Sequence, residues 1–388
     1  MNQIKLVSNT IDQEEIQSLI GWLNQTPTPQ LTKGPITKQL EQKWSNWLGV
    51  NNTTYVNSGS SAILLMLYTL LQSKKISKHA KIVVPSLSWI TDVSSPMQIG
   101  LDVVLCDCNL TDLSVDLNHL EQIFKTEKPE AFILVHVLGL VPNMELIMGL
   151  CDKYNVILLE DVCESMGSEY KKQKLGTFGE MSVFSLYYGH HLSTIEGGFV
   201  CTNSKELSNI SLMLRNHGWD RDLSTEDAQL YRKQYDISDF QAQYTFYYPG
   251  FNLRATDLQA FIGLNQIDKL DDIRVQREFN YFMYLKSIKS NMLNLPLTNP
   301  YNLVSNFAFP MLHENREVIV KALTDENIEV RPLIAGSMGN KPFWIKEYGK
   351  TPLPNCDIID KYGFYLPNHA DLSKEEILRV AEIVNKNS

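Results

Sequence analysis

Short apolar runs rich in β-branched residues recur through the first two thirds of the chain, and helix-like stretches lie between many of them. The runs are Lys81–Val84, Val103–Leu105, Ala131–Val137, Val156–Leu159, Ser182–Leu186 and Gly198–Thr202. Ser60–Leu71 opens on serines and lacks glycine and proline; Met144–Tyr154 and Lys205–Asn216 share its helical period. Strands alternating with helices require crossover connections, and so an α/β domain with a mixed, mainly parallel sheet flanked by helices.

The texture changes near Leu253. Leu253–Lys286 reads as long helices with few breakers, and Phe307–Pro310 as a short strand. Ser373-Lys-Glu-Glu376 is a capping box for a final helix with apolar positions Ile377, Leu378, Val380, Ala381 and Val384. A chain of 388 residues exceeds one simple core. The reading is an N-terminal helical segment over 1–29, a large domain over 30–265 and a smaller α+β C-terminal domain over 266–388.

Thirty-five Lys+Arg against 44 Asp+Glu give a net charge of −9 without a basic cluster, which argues against nucleic acid as a partner. The longest apolar run, Ala131–Val141, is interrupted by His136 and Gly139 and is too short to span a bilayer. The opening MNQIKLVSNTIDQEE has no apolar signal core. Cys106, Cys108, Cys151, Cys163, Cys201 and Cys356 have the spacing of neither a zinc site nor a disulfide framework; several read as small core residues. A cytoplasmic protein with no metal and no membrane contact is the expectation.

Candidate site residues follow the strands. Asn57-Ser-Gly-Ser-Ser-Ala62 precedes a helix, where free N–H groups and the helix dipole favour an anion; a plain serine N-cap explains the segment equally well. Asp161 ends the Val156–Asp161 run, and Glu164 follows it, on the edge where α/β folds bind ligands. Trp89, after Lys81–Val84, can stack on a flat ring or simply pack. His190 and His191 follow Ser182–Leu186; as neighbours on an extended strand they would point to opposite faces, one functional and one structural. An anion cradle, an aromatic plate, a carboxylate and a base are what a pyridoxal phosphate site requires, the carboxylate keeping the pyridine nitrogen protonated.

The ordered series Lys33-Gly-Pro-Ile-Thr, Asn57-Ser-Gly-Ser-Ser-Ala, Pro85-Ser-Leu-Ser-Trp89, Leu159-Glu-Asp-Val-Cys-Glu164, Gly176-Thr-Phe-Gly179, Phe184-Ser-Leu-Tyr and Gly250-Phe-Asn-Leu-Arg254 resembles the DegT/DnrJ-type nucleotide-sugar aminotransferases, from about Lys33 to about His369. Ordinary members carry, six residues after the Phe of Phe-Ser, a lysine that forms a Schiff base with the cofactor; here that residue is His190. An imidazole has no primary amine, yet it can move a proton, with a pKa near ~6.5 against ~10.4 for lysine.

With Glu164-Ser-Met-Gly167, Glu196-Gly-Gly, Arg215-Asn-His-Gly-Trp-Asp-Arg221 and Asn368-His369, that departure is similar to the family's sugar 3-dehydratases, above all those acting on a GDP-linked 4-keto-6-deoxy sugar. A related branch holds an iron–sulfur cluster on four cysteines; only Cys201 and Cys356 follow His190 here.

The resemblance implies the type I aminotransferase fold and pyridoxal or pyridoxamine 5′-phosphate held without a covalent bond. It implies removal of the carbon-3 hydroxyl of a nucleotide-linked 4-keto-6-deoxy hexose. L-glutamate would restore the amine form, with 2-oxoglutarate and ammonia as co-products, in deoxysugar and O-antigen biosynthesis. It further implies His190 as the proton carrier, Gly59, Ser60 and Ser185 around the phosphate, Trp89 over the ring, Asp161 at its nitrogen and Glu164 near its oxygen. Asn252 would reach in from the second subunit of a homodimer, and His217 and Arg221 would lie near substrate. The Tyr231–Tyr248 stretch is either part of the sugar pocket or an exposed excursion against the partner. Two other functions remain open: an aminotransferase working without the lysine, and a non-catalytic protein that binds a B6 vitamer or sugar nucleotide.

Overall fold

A computed structural model of the chain describes residues 3–295 and 302–388. Local chemistry sets where many helices begin. Asp12 forms a capping box with Glu15 at α1 (Gln13–Leu23), Pro35 occupies the first turn of α2 (Pro35–Leu48), and Ser58 caps the helix after β1 (Asn52–Val56), α3 (Gly59–Gln72). Then β2 (Lys81–Pro85), α4 (Ile90–Gln98), β3 (Asp102–Cys106), α5 (Leu117–Glu127), β4 (Ala131–Val135), α6 (Met144–Tyr154) and β5 (Ile157–Asp161) alternate. A small hairpin, β6 (Glu169–Tyr170) and β7 (Gln173–Lys174), precedes β8 (Met181–Ser185), β9 (Gly198–Thr202) and α7 (Lys205–Arg215).

The large sheet has seven strands in the order β1-β9-β8-β5-β4-β2-β3. The β8–β5–β4–β2–β3 pairings are parallel, and β9 runs antiparallel to both β1 and β8. Helices cover both faces, so β4, β8 and β9 are buried throughout. Alternation along β8 sends Val183 into one core with Ile63, Leu67 and Leu214, and Phe184 into the other with Trp44 and Phe199.

Beyond the sheet come α8 (Thr225–Gln234), α9 (Asp239–Ala242) and the 31-residue α10 (Asp257–Ser287). Residue 265, where the sequence reading divides the chain, lies inside α10. The remaining elements are β10 (Phe309–Leu312), α11 (Arg316–Asp325), β11 (Arg331–Pro332), α12 (Pro342–Tyr348), α13 (Pro354–Tyr362), β12 (Gly363–Leu366) and α14 (Lys374–Asn387). The strands form an antiparallel sheet in the order β10-β12-β11, and Ser373 and Glu376 form the capping box at α14. Among the described residues no helix is long and apolar enough to cross a membrane.

Several expectations shift. Leu253–Lys286 is one helix that starts only at a Thr256–Gln259 capping box; Leu253 and Arg254 instead extend along Arg215 and Val56. The strand placed at Phe307–Pro310 is Phe309–Leu312. His190 and His191 lie in a turn, not on a strand: the His190 N–H donates to Tyr187 O at 2.9 Å, and Leu186 closes the loop by bonding Gly197 O.

Candidate active site

Strands β1, β4, β5 and β8 point the same way and end at Val56, Val135, Asp161 and Ser185. The antiparallel β9 begins on that same edge, where Gly198 pairs with both Val56 and Ser185. One rim thus gathers the segments after residues 56, 85, 135, 161 and 185, at the carboxyl ends where open α/β sheets form ligand crevices.

The first turn of α3 meets β8 here. A Cβ on Gly59 would lie 2.7 Å from Ser185 Cβ, and one on Gly198 would lie 2.5 Å from Ser58 O. Glycine at these places lets the helix N-terminus, with the free N–H groups of its first residues, sit directly on Ser185. Ser60 is exposed beside it, and Ser185 is buried.

Strand alternation separates the two acids of β5. The buried Glu160 carboxylate accepts from the N–H groups of Gly176, Phe178 and Gly179 at 2.8, 2.7 and 2.7 Å and bonds His136 Nε2 at 2.9 Å, so it builds the Gly176–Gly179 loop. Asp161 faces the rim; its Oδ1 accepts the Cys163 N–H at 2.9 Å. Glu164 accepts the Leu138 N–H at 3.2 Å, and burial pushes its pKa up to about 8. Trp89, which ends the loop after β2 and precedes α4, is 56% exposed, free to cover a flat ring.

The two histidines differ in what holds them. His191 is fully buried and its Nε2 bonds Ser305 O at 3.0 Å, a structural tie between the β8–β9 loop and the segment before β10. The half-buried His190 ring makes no hydrogen bond among the described residues; its Nδ1 is buried without a partner. It packs 5.3 Å from the Phe307 ring and edge-on to Tyr187 at 6.2 Å. Desolvation, and then the Arg277 guanidinium, lower its pKa to about 4, which keeps the ring a neutral base at pH 7. Arg277 is itself buried, donating to the carbonyls of Asn306, Phe307 and Asn368 at 3.4, 2.9 and 2.6 Å. Asn368 also donates to Asn306 Oδ1 at 2.8 Å, so the Asn368-His369 pair supports this wall.

The other sequence candidates lie on a neighbouring stretch. His217 stacks edge-on against Trp219 at 5.2 Å, and the Arg221 guanidinium lies 3.8 Å over the same ring and 5.5 Å from Tyr244. Asn252 is exposed and accepts from Arg254 Nε at 3.0 Å; its segment touches the anion cradle through the Asn57 N–H to Leu253 O bond of 3.0 Å. Within one chain, no hydrogen bond, ion pair or ring contact joins His217, Arg221 or Asn252 to His190 or Asp161 among the described residues. The excursion over α8 and α9 is strongly exposed, Phe240 at 82% and Tyr244 at 76%.

Sequence reading missed Phe307, the plate behind both histidines, and Asp92, a fully buried acid in the first turn of α4 whose carboxyl contacts Asp161. Nothing local marks either as a site residue. Cys108 and Cys356 also come together at the β3–α13 seam, where one liganding atom each from Asp107, Cys108 and Cys356 lie within 4.8 Å of one another. The Asp107 carboxylate is occupied there by the N–H groups of Cys108, Asn355 and Cys356.

The donor set fits pyridoxal phosphate: a glycine-packed helix N-terminus for the phosphate, an exposed Trp89 for the ring, Asp161 for the ring nitrogen and an unpartnered His190 Nδ1 on the remaining side.

Comparison with known proteins agrees. The model of the DegT/DnrJ/EryC1/StrS aminotransferase family matches residues 9–385. The chain is 30% identical over 396 residues to the GDP-4-keto-6-deoxy-D-mannose 3-dehydratase of Yersinia pseudotuberculosis, covering 100% of this chain and 99% of that one. It is 28% identical over 359 residues to a GDP-perosamine synthase of Escherichia coli, covering 92% and 91%. A solved GDP-4-keto-6-deoxymannose-3-dehydratase with a trapped PLP–glutamate geminal diamine superposes with a TM-score of 0.89, at 29% identity over 98% of this chain and 100% of that one. The fold is that of the pyridoxal phosphate-dependent aminotransferases, and the chain belongs to the DegT/DnrJ/EryC1/StrS aminotransferase family.

Proposed function

We propose that this chain is a 3-dehydratase dependent on pyridoxal and pyridoxamine 5′-phosphate, acting on a nucleotide-linked 4-keto-6-deoxy hexose, with GDP as the nucleotide. L-Glutamate regenerates the amine form of the cofactor, and ammonia leaves with the 3-deoxy-4-keto sugar. The observation that carries the reading is His190: a side chain unable to form a Schiff base, unbound at Nδ1, on the rim that holds Asp161 and the α3 N-terminus. The GDP-linked sugar is carried over from the 3-dehydratase relatives.

When bound, the cofactor supplies an amine for the sugar's keto group and a ring that accepts electrons. Gly59, Ser60 and Ser185 bind its phosphate, Trp89 covers its ring, Asp161 keeps its nitrogen protonated and Glu164 lies near its oxygen. Neutral His190 takes a proton at an imidazole nitrogen and returns it to the departing carbon-3 hydroxyl, which leaves as water. The protein works as a homodimer in the cytoplasm; Asn252 completes the partner's phosphate site, His217 and Arg221 approach the sugar nucleotide, and the exposed Phe240 and Tyr244 pack at or near the partner surface.

The test is a panel of GDP-, CDP-, dTDP- and UDP-linked 4-keto-6-deoxy sugars, each with L-glutamate, read by mass spectrometry and ammonia assay. A 3-deoxy product with glutamate-dependent ammonia is expected. The perosamine synthases among the relatives favour one rival, an aminotransferase, which would return an amino sugar and release no ammonia. A binding protein would do neither.

A further inference from the structure

Asp92 occupies the first turn of α4, after Trp89, and is 0% exposed. Neither of its oxygens accepts a well-formed hydrogen bond from a donor among the described residues. The Trp89 N–H at the helix N-cap faces the carboxyl without forming a well-aligned bond. Its carboxyl instead contacts that of Asp161, with Glu164 close behind.

Two touching, buried carboxyls cannot both be ionised, so one carries a proton. The surroundings choose which. Asp161 accepts the Cys163 N–H at 2.9 Å, its carboxyl also meets the Cys163 thiol, and it keeps 4% exposure at the rim. Asp92 has only the poorly aligned Trp89 N–H to oppose this, and desolvation, then Asp161, push its pKa well above the usual carboxylate range.

We propose that Asp92 is a positioning residue: a protonated carboxylic acid whose O–H donates to Asp161 and fixes that carboxylate against the ring nitrogen of the cofactor. Asp161 then has a donor on either side, the Cys163 N–H and the Asp92 O–H, and keeps a free lone pair directed to the rim. The inference rests on the cofactor reading of Asp161, while the protonation of Asp92 is a property of the protein alone.

The test compares wild type, Asp92→Asn and Asp92→Leu. In the apoprotein at pH 7, the infrared carbonyl stretch of a protonated carboxylic acid should weaken in Asp92→Asn, with Glu164→Gln as the control for the other buried acid. Pyridoxal phosphate titration, followed by absorbance, should give Asp92→Asn within a fewfold of wild type, because the amide still donates. Asp92→Leu, of similar size but without a donor, should bind about ten- to a hundredfold more weakly while its thermal midpoint holds or rises. An unchanged infrared band in Asp92→Asn overturns the proposal, as does Asp92→Leu binding like wild type or Asp92→Asn weakening as much as Asp92→Leu. If wild type binds no pyridoxal phosphate, the cofactor reading fails, and the infrared band still decides the protonation of Asp92.

Discussion

The imidazole of His190 lies 5.3 Å from the ring of Phe307, tilted by 41°. The same phenylalanine meets His191 at 6.2 Å. One aromatic plate therefore backs both histidines, and the difference between them is the bond from His191 Nε2 to Ser305 O, which His190 lacks. The anchored ring is part of the wall; the free one is available to a ligand at the rim.

With His190 at the place of the family lysine, the cofactor is expected to be held without a covalent bond. Borohydride reduction of the loaded enzyme, followed by denaturation and intact-mass analysis, should return the mass of the bare chain. A phosphopyridoxyl adduct on a lysine would reject the assignment.

Asp161→Asn should reduce both the glutamate half-reaction and sugar dehydration by at least about a hundredfold. Both need a protonated ring nitrogen, and a neutral amide does not hold that proton. Single-turnover spectra with each substrate separate the two; loss of only the sugar step would place Asp161 in the sugar pocket instead.

The depressed pKa of His190 has a pH signature in the apoprotein. Its folded value of about 4 lies below the ~6.5 expected when unfolded, so the unfolded chain binds more protons between those values. The resulting penalty is absent above about 6.5, grows as pH falls and is full below about 4. His191 and His369 are shifted in the same direction, so the informative quantity is the difference between variants. Apo His190→Asn should lose less thermal stability than wild type between pH 6.5 and 4.5, and the His190 ring should titrate by NMR well below 6. A midpoint near 6.5 would contradict the desolvation and the nearby Arg277 charge that hold the ring neutral.

Much of this arrangement is legible along the chain. Apolar, β-branched runs marked six of the seven strands of the large sheet closely because a sheet covered on both faces demands apolar residues, as in Ala131–Val135 and Met181–Ser185. Strand β1 was hidden by Asn52, Thr53 and Thr54, although Thr54, Tyr55 and Val56 are buried. The position of Asp161 at the rim could be read from its place at a strand end. Those of Asp92 and Phe307 could not, because a helical aspartate and a loop phenylalanine come beside Asp161 and His190 only through the packing of α4 and of the segment before β10. Cys108 and Cys356 likewise meet only through the packing of α13 on the end of β3.

A shared site is expected to show complementation. His190→Asn and Asn252→Ala should each be nearly inactive alone. Subunit exchange creates one site with both defects and one with neither, so activity should reappear in the mixture. Absence of recovery after verified exchange would place Asn252 at its own chain's site, and a monomeric active species by sedimentation would remove the shared site altogether.

The role of His190 is tested most directly by single turnover of the pyridoxamine phosphate-loaded enzyme with a 4-keto-6-deoxy sugar nucleotide. Wild type, His190→Asn and His191→Asn would be compared after cofactor occupancy is measured in each. His190→Asn should retain cofactor and lose dehydration by about a hundredfold or more, the scale of general acid–base catalysis. His191→Asn should keep the chemistry while losing stability through its broken tie to Ser305. Normal dehydration by His190→Asn, or loss confined to a stably folded His191→Asn, would contradict the account.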